Sequence, residues 1–189
     1  LRAWSDVDQQ VEGIYKNIKT NFDHLDGYLN LFTPLNRRLN RRRENIPLLE
    51  IKTFLIDLFK SRFERHNIQF KHTKGYASQK IYGFRSTFYP VFVNIIDNAI
   101  YWLKQSKAEE RIIRLHADEN GIYISNNGVE ILPQDKERMF ELGFSRKPNG
   151  RGMGLSISKE VLNAENYDIS VITPINGSTV TFKIEKLNE

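Results

Sequence analysis

The stretch Gly150-Arg-Gly152-Met-Gly154-Leu155 runs without a break into Ser156-Ile-Ser-Lys-Glu160, and this junction constrains the fold more than any other part of the chain. Glycines at alternate positions give the backbone left-handed freedom and clear side chains from one turn. A helix starting directly afterwards turns its unpaired N–H groups toward that turn, which suits it to an anion. A flexible linker is the competing reading, but linkers rarely lead into a well-patterned helix. The turn and its helix need a core to rest on. With 40% hydrophobic and 27% charged residues over 189 positions, the chain has the composition of a globular domain rather than a disordered one.

The rest of the chain supplies that core in two parts. From Ser5 to Arg43 the residues Val11, Ile14, Ile18, Phe22, Leu25, Leu29, Phe32 and Leu39 recur at steps of three and four, with Asn36 filling one gap. Such a narrow seam belongs to a coiled coil or bundle, interrupted by Gly13, Gly27 and Pro34. We expect it to pair with a second copy, giving a homodimer through this helix. Pro47 marks a boundary, so the organisation expected is a helical dimerisation-type segment over 1–46 and a mixed domain over 47–189. In the second part Leu48–His66 reads as an amphipathic helix with Ile51, Leu55, Leu58, Phe59 and Phe63 on one face. Ile68–Lys71 reads as a short strand and Thr87–Leu103 as a buried helix. Arg111–Ala117 and Ile122–Ile124 flank the turn Asp118-Glu-Asn-Gly121 as a hairpin. Pro133–Leu142 reads as a short helix and Leu155–Ala164 as another. Strands at Asp168–Thr173 and Thr179–Glu185 are joined through Asn176-Gly177. The sum is an α+β fold, a helical layer on a largely antiparallel sheet.

Two further polar signatures precede the glycines. Asn94 and Asn98 stand four apart on the buried helix and share a face. Amides there need partners: either backbone groups, or, for Asn98, a Mg²⁺ ion, which takes oxygen ligands and is commonly shared with phosphates. Ser125-Asn126-Asn127-Gly128 closes a strand. It suits an ordinary turn, and it equally suits an amide that accepts from a base amine while Gly128 lets the backbone approach. Arg146 and Lys147, just before the glycines, can bring a mobile cation to a terminal phosphate.

Taken in order, Asn94-x-x-x-Asn98-Ala99, Asn126-Asn-Gly128, Phe140-Glu-Leu-Gly-Phe-Ser-Arg-Lys147 and Gly150-Arg-Gly-Met-Gly-Leu155 resemble the N, G1, F and G2 boxes of the histidine-kinase-type (GHKL) ATPases. That superfamily also holds gyrase B, MutL and the ninety-kilodalton heat-shock chaperones. The resemblance covers roughly Leu48–Glu185 and implies a Bergerat-type α/β sandwich, a mixed, mostly antiparallel sheet backed by helices, with ATP and Mg²⁺ beneath a lid over Val129–Arg151. Carried over by position, Asn98 matches the metal ligand. Asn126 stands where the family has an adenine-reading aspartate, and Gly128 matches the first glycine of that box. Lys147 matches the lid lysine; Gly150, Gly152 and Gly154, with Leu155 after them, match the phosphate-facing turn; Thr179 matches a threonine near the base. Asn126 keeps an acceptor for the adenine amine without its charge and adds a donor that blurs purine discrimination. Glu130 replaces the second glycine of its box, and Tyr101 stands where many kinases carry a phosphate-binding lysine, with Lys104 nearby.

Asn94 separates the branches. Gyrase-type ATPases place a glutamate there to activate water, and an amide cannot abstract a proton, whereas transfer to a histidine needs mainly positioning and metal. The resemblance thus implies the ATP-binding domain of a sensor histidine kinase, with Asn94 and Lys147 at the reacting end and an aspartate of a response-regulator receiver domain as final acceptor. The alternative is a switch or scaffold module with little transfer chemistry. His24, in Phe22-Asp-His-Leu-Asp-Gly, lacks the usual acceptor setting, so the acceptor is expected outside this chain, which opens on Leu1 and reads as part of a longer protein. No apolar run reaches the roughly 18 residues of a membrane helix and there is no cysteine, so the expected setting is cytoplasmic, with any membrane anchor upstream. The basic block at Arg37, Arg38, Arg41, Arg42 and Arg43 reads as a solvated helix end rather than a nucleic-acid site.

Overall fold

The computed structural model describes residues 42–148 and 150–187. The chain divides into two compact units, Leu1–Arg41 and Arg42–Glu189. The helical seam, His24 and the expected dimer contact all fall outside the described residues.

The second unit begins with a strand. Residues 44–47, read above with the helical segment and its boundary, form β1 (Glu44–Pro47), which pairs antiparallel with β3 (Lys80–Gly83). Between them run α1 (Leu48–Arg65), β2 (Ile68–His72) and the short α2 (Lys74–Ser78), whose first turn is capped by the Thr73 hydroxyl accepting from the Tyr76 N–H. Then follow α3 (Arg85–Gln105), β4 (Arg111–Asp118), β5 (Gly121–Asn126), α4 (Gly154–Asn163), β6 (Tyr167–Ile172) and β7 (Val180–Lys186). The five longer-range strands lie in the order β2-β4-β5-β7-β6; β2 runs parallel to β4 and every other pairing is antiparallel. This is the mixed, mostly antiparallel sheet backed by helices that the sequence implied.

Side-chain alternation explains why the helices sit on one face. Ile113, Leu115 and Ala117 of β4, Ile122 and Ile124 of β5, and Phe182 and Ile184 of β7 are buried, and their registers place them on a single face of the pleat. α3 fills the space above it with Val91, Phe92, Ile95, Ile96, Ile100 and Leu103. α1 contributes Leu48, Ile51, Leu55, Phe59 and Phe63; Leu58, expected on that face, is half-buried at its margin. The expected helix Pro133–Leu142 is instead two separate 3₁₀ turns, Pro133–Asp135 and Arg138–Phe140. Among the described residues no helix is long and apolar enough to cross a membrane.

Candidate functional site

Helix α3 carries the candidate residues because a half-buried stripe of it runs between the glycine turn and the end of β5. At one end the Asn94 amide nitrogen donates to the Gly154 carbonyl (3.2 Å) and to the Ser158 hydroxyl (3.1 Å), while Ser158 donates to the same carbonyl (2.8 Å). Asn94 thus ties the first turn of α4 to α3, and a Cβ at Gly154 would meet its amide carbon at 3.5 Å, ordinary contact. At the other end Gly128 lies against the α3 backbone, where an added Cβ would come within 3.0 Å of the Trp102 carbonyl carbon and 3.1 Å of the Leu103 nitrogen. Eight residues separate Asn94 from Trp102, about 12 Å of helix at 1.5 Å per residue. Asn98 stands midway on this stripe, half-buried and without a hydrogen-bond partner among the described residues.

The end of β5 is tightly bonded. Asn126 is 4% exposed, and its side-chain oxygen accepts from the Gly128 N–H at 3.0 Å. Thr179 N–H donates to the Asn126 carbonyl (2.9 Å), and its hydroxyl donates to the carbonyls of Gly128 (2.6 Å) and Asn126 (3.3 Å). Asn127 faces the other way, accepting from the Ile112 N–H (2.8 Å) and donating to the Glu110 carbonyl (2.7 Å). Thr179 and Asn127 therefore hold the loop that presents Asn126.

The glycine turn folds back on the segment before it. Gly152 has φ +63, and a Cβ there would collide with the Gly143 carbonyl carbon and come within 2.5 Å of the Phe144 nitrogen. Its carbonyl accepts from the Gly143 N–H at 3.0 Å. Gly150 is pinned likewise: its N–H donates to the Lys147 carbonyl (2.9 Å), and a Cβ would strike the Ser145 hydroxyl. Leu155 lies half-buried in the first turn of α4.

Electrostatics organise the intervening residues 129–151. Arg146 grips Asp135 with two bonds of 2.9 Å, and the guanidinium holds that carboxyl below its usual range. Arg138 and Arg146 both lie over the Phe144 ring, with centroid distances of 4.8 and 5.6 Å. Lys147 turns onto α3: its ammonium lies 3.4 Å from Asp97 and 4.8 Å above the Tyr101 ring. Burial lowers its pKa, partly offset by Asp97. Asp97 also accepts from Arg62 of α1 at 2.7 Å. Sequence reasoning did not assign Asp97 or Arg62 a role; they lie 50 and 85 positions before Lys147, and no local pattern signals the contact. Glu130 is exposed at the start of this segment.

Comparison with known proteins now adds to this geometry. The family model described as "Histidine kinase-, DNA gyrase B-, and HSP90-like ATPase" matches residues 83–188, from the last residue of β3 through both glycine signatures and past β7. The chain belongs to this ATPase family. A second model, the HEF_HK domain, matches residues 1–41. Histidine protein kinase SaeS of Staphylococcus aureus (strain USA300) is 29% identical over 157 residues, covering 77% of this chain. The chain spans only 44% of that relative's length. Among solved structures, the nucleotide-free catalytic domain of histidine kinase ThkA superposes with TM-score 0.61 at 24% identity, covering 77% of this chain and 95% of that one. Full-length ShkA in complex with AMPPNP gives TM-score 0.62 at 16% identity, covering 78% of this chain and 31% of that one. These likenesses establish a shared fold: this ATPase-family domain has the architecture of histidine kinase catalytic domains.

Proposed function

We propose that this domain binds ATP with Mg²⁺ along the α3 stripe, beneath a lid formed by Val129–Arg151, and delivers the γ-phosphoryl group to a histidine outside this chain, from which it passes to a receiver-domain aspartate. The observation carrying this reading is that one helix face meets the glycine turn at Asn94 and the β5 loop at Trp102, about 12 Å apart, with Asn98 between them. Asn126, Gly128 and Thr179 would take the base. Gly152, Gly154 and Leu155, leading into and opening α4, would face the phosphates with backbone N–H groups, and Gly150, whose N–H is held by the Lys147 carbonyl, would contribute by letting the turn pass close to them.

Among the described residues no group of three His, Cys, Asp or Glu side chains is placed to hold a metal. The donor set fits a Mg²⁺ ion held chiefly by the nucleotide, with the Asn98 amide oxygen as protein ligand. When bound, the ion would offset charge on the phosphates. Lys147 packs on α3 against Asp97 and Tyr101, one residue before and three after Asn98, and from there would reach a terminal phosphate. Asn94 has its nitrogen committed to Gly154 and Ser158 and offers no base, so water activation is disfavoured and transfer to a better nucleophile is favoured. The kinase would act as a homodimer through residues 1–46, with the ATP-binding domain following. A switch module with little transfer chemistry is the second reading, supported by the attachment of Lys147 to α3 through Asp97.

Titration calorimetry with ATP in the presence and absence of Mg²⁺ tests the site. Binding by the wild type that depends on Mg²⁺, and loss of that dependence in Asn98→Ala, is the expected result; no heat from the wild type would sink the reading. Transfer of labelled γ-phosphate to the full-length kinase decides between kinase and switch.

A further inference from the structure

We propose, resting on the nucleotide reading above, that Asp97 sets how sharply this site distinguishes a nucleoside triphosphate from a diphosphate, by competing with the terminal phosphate for the Lys147 ammonium. Asp97 directly precedes Asn98 on α3, and its carboxylate holds two cations from different parts of the fold. Oδ1 accepts from Arg62 of α1 at 2.7 Å, and Oδ2 lies 3.4 Å from the Lys147 ammonium. The two contacts are unequal. Arg62 makes the shorter one, and its guanidinium also lies 5.2 Å above the Phe59 ring on its own helix. Lys147 makes the longer one, with its ammonium 4.8 Å above the Tyr101 ring. Asp97 and Tyr101 stand four apart on α3, so a single helix face provides both sides of the ammonium's seat.

The Lys147 backbone is held within its own turn: its N–H donates to the Ser145 hydroxyl at 3.1 Å, and its carbonyl accepts from the Gly150 N–H at 2.9 Å. Leaving Asp97 therefore asks only the flexible four-carbon stem to swing. What it leaves behind is not an orphan charge, because Arg62 stays on the other oxygen and the costly state, a desolvated carboxylate without a partner, is avoided. Asp97 is thus a counterion that Lys147 can exchange for a phosphate. A diphosphate leaves the lysine seated, whereas a triphosphate draws it off and loses the ion pair in doing so. The two side chains are 22 and 26% exposed, which puts this pair at the upper end of the range for solvent-accessible pairs, roughly fivefold in affinity.

Calorimetry with ATP and with ADP, each with Mg²⁺, gives the ATP:ADP affinity ratio of the wild-type chain and its variants. Expected is a ratio about fivefold higher in Asp97→Asn, which keeps an acceptor for Arg62 and removes the charge that holds Lys147. Arg62→Met, which leaves the carboxylate to Lys147 alone, should lower the ratio. In a Lys147→Met background, Asp97→Asn should leave the ratio unchanged. This arm separates competition from plain charge, since removing a carboxylate near the phosphates favours the more negative nucleotide with or without the lysine. Three results overturn the inference and leave the nucleotide site standing: a ratio unchanged or lowered in an Asp97→Asn chain that melts as the wild type does, a ratio unchanged or raised in Arg62→Met, or a rise that persists undiminished without Lys147. If the wild type binds neither nucleotide, the site itself is refuted along with the inference.

Discussion

At the scale of single residues, two asparagines four apart on α3 have opposite fates. Asn94 is consumed by structure: its NH₂ bonds to a carbonyl and a hydroxyl of α4. Asn98 is left without a protein partner among the described residues. Removing Asn94 therefore affects stability first. Asn94→Ala is expected to cost about 1–3 kcal/mol, the usual loss for a part-buried bonded amide, measured by urea denaturation. A change within error would show that α4 does not depend on this tether. The signatures themselves were legible because residue type and order carry them: paired amides on an apolar helix, a strand-end Asn-Asn-Gly, a triple glycine before a helix. Which atom of Asn126 faces the loop was not legible. It depends on the Gly128 N–H, and on Thr179, 53 positions away in sequence, binding the same turn.

At the scale of elements, long periodic segments were readable and short ones were not. α1 and α3 declared themselves through apolar residues at helical spacing, and α3 simply extends past both expected ends to Arg85 and Gln105. Strands β1 and β3, each 4 residues, are too short for any period to show. In residues 133–142 the chain breaks into two 3₁₀ turns because its anchors are distant side chains, Asp135 to Arg146 above all. That pair sets an acid dependence. The Asp135 pKa is lowered from its ordinary 3.8 by Arg146, so its contribution is fully present above about 3.8 and is lost as pH falls through the depressed value. Amide exchange in residues 129–148 should speed up relative to the sheet in that acid window. Asp135→Asn should show faster exchange there already at neutral pH; identical protection in wild type and variant would show the pair does not hold the segment.

The glycine turn makes the sharper test of this element. Gly152→Val places a β-branched side chain at φ +63 and drives its Cβ into the backbone of Gly143 and Phe144. The strain cannot be relieved by a side-chain rotation, since the obstacle is backbone. The segment 143–152 should detach from the turn, with nucleotide affinity falling at least tenfold and the sheet's melting transition moving little. The clash lies outside the main core, hence the separation of effects. A variant that binds nucleotide as the wild type does would show that the turn's contact with Gly143 and Phe144 is dispensable.

At the scale of the whole second unit, the question is whether the two-stranded β1–β3 sheet is an appendage or part of the main core. Exposure answers it. Ile46 of β1 is fully buried, Ile81 of β3 is 3% exposed, and both belong with the fully buried Leu48, Leu55 and Phe88 of the two long helices. Charge reinforces this junction: Arg85 at the start of α3 pairs with Glu44 of β1 at 2.6 Å and also with Glu50 of α1, although both carboxylates are nearly half exposed, so solvent leaves these pairs a minor share. Burial should then dominate. Ile46→Ala removes three buried carbons where neighbouring helices cannot easily close up, and about 2–4 kcal/mol should be lost from global unfolding. If β1–β3 shares the core, exchange of the most protected amides in β4, β5 and β7 will accelerate together with those of β1 and β3, by the factor that free-energy loss dictates. Acceleration confined to β1 and β3 would mean the small sheet frays by itself and that the domain proper starts at α1.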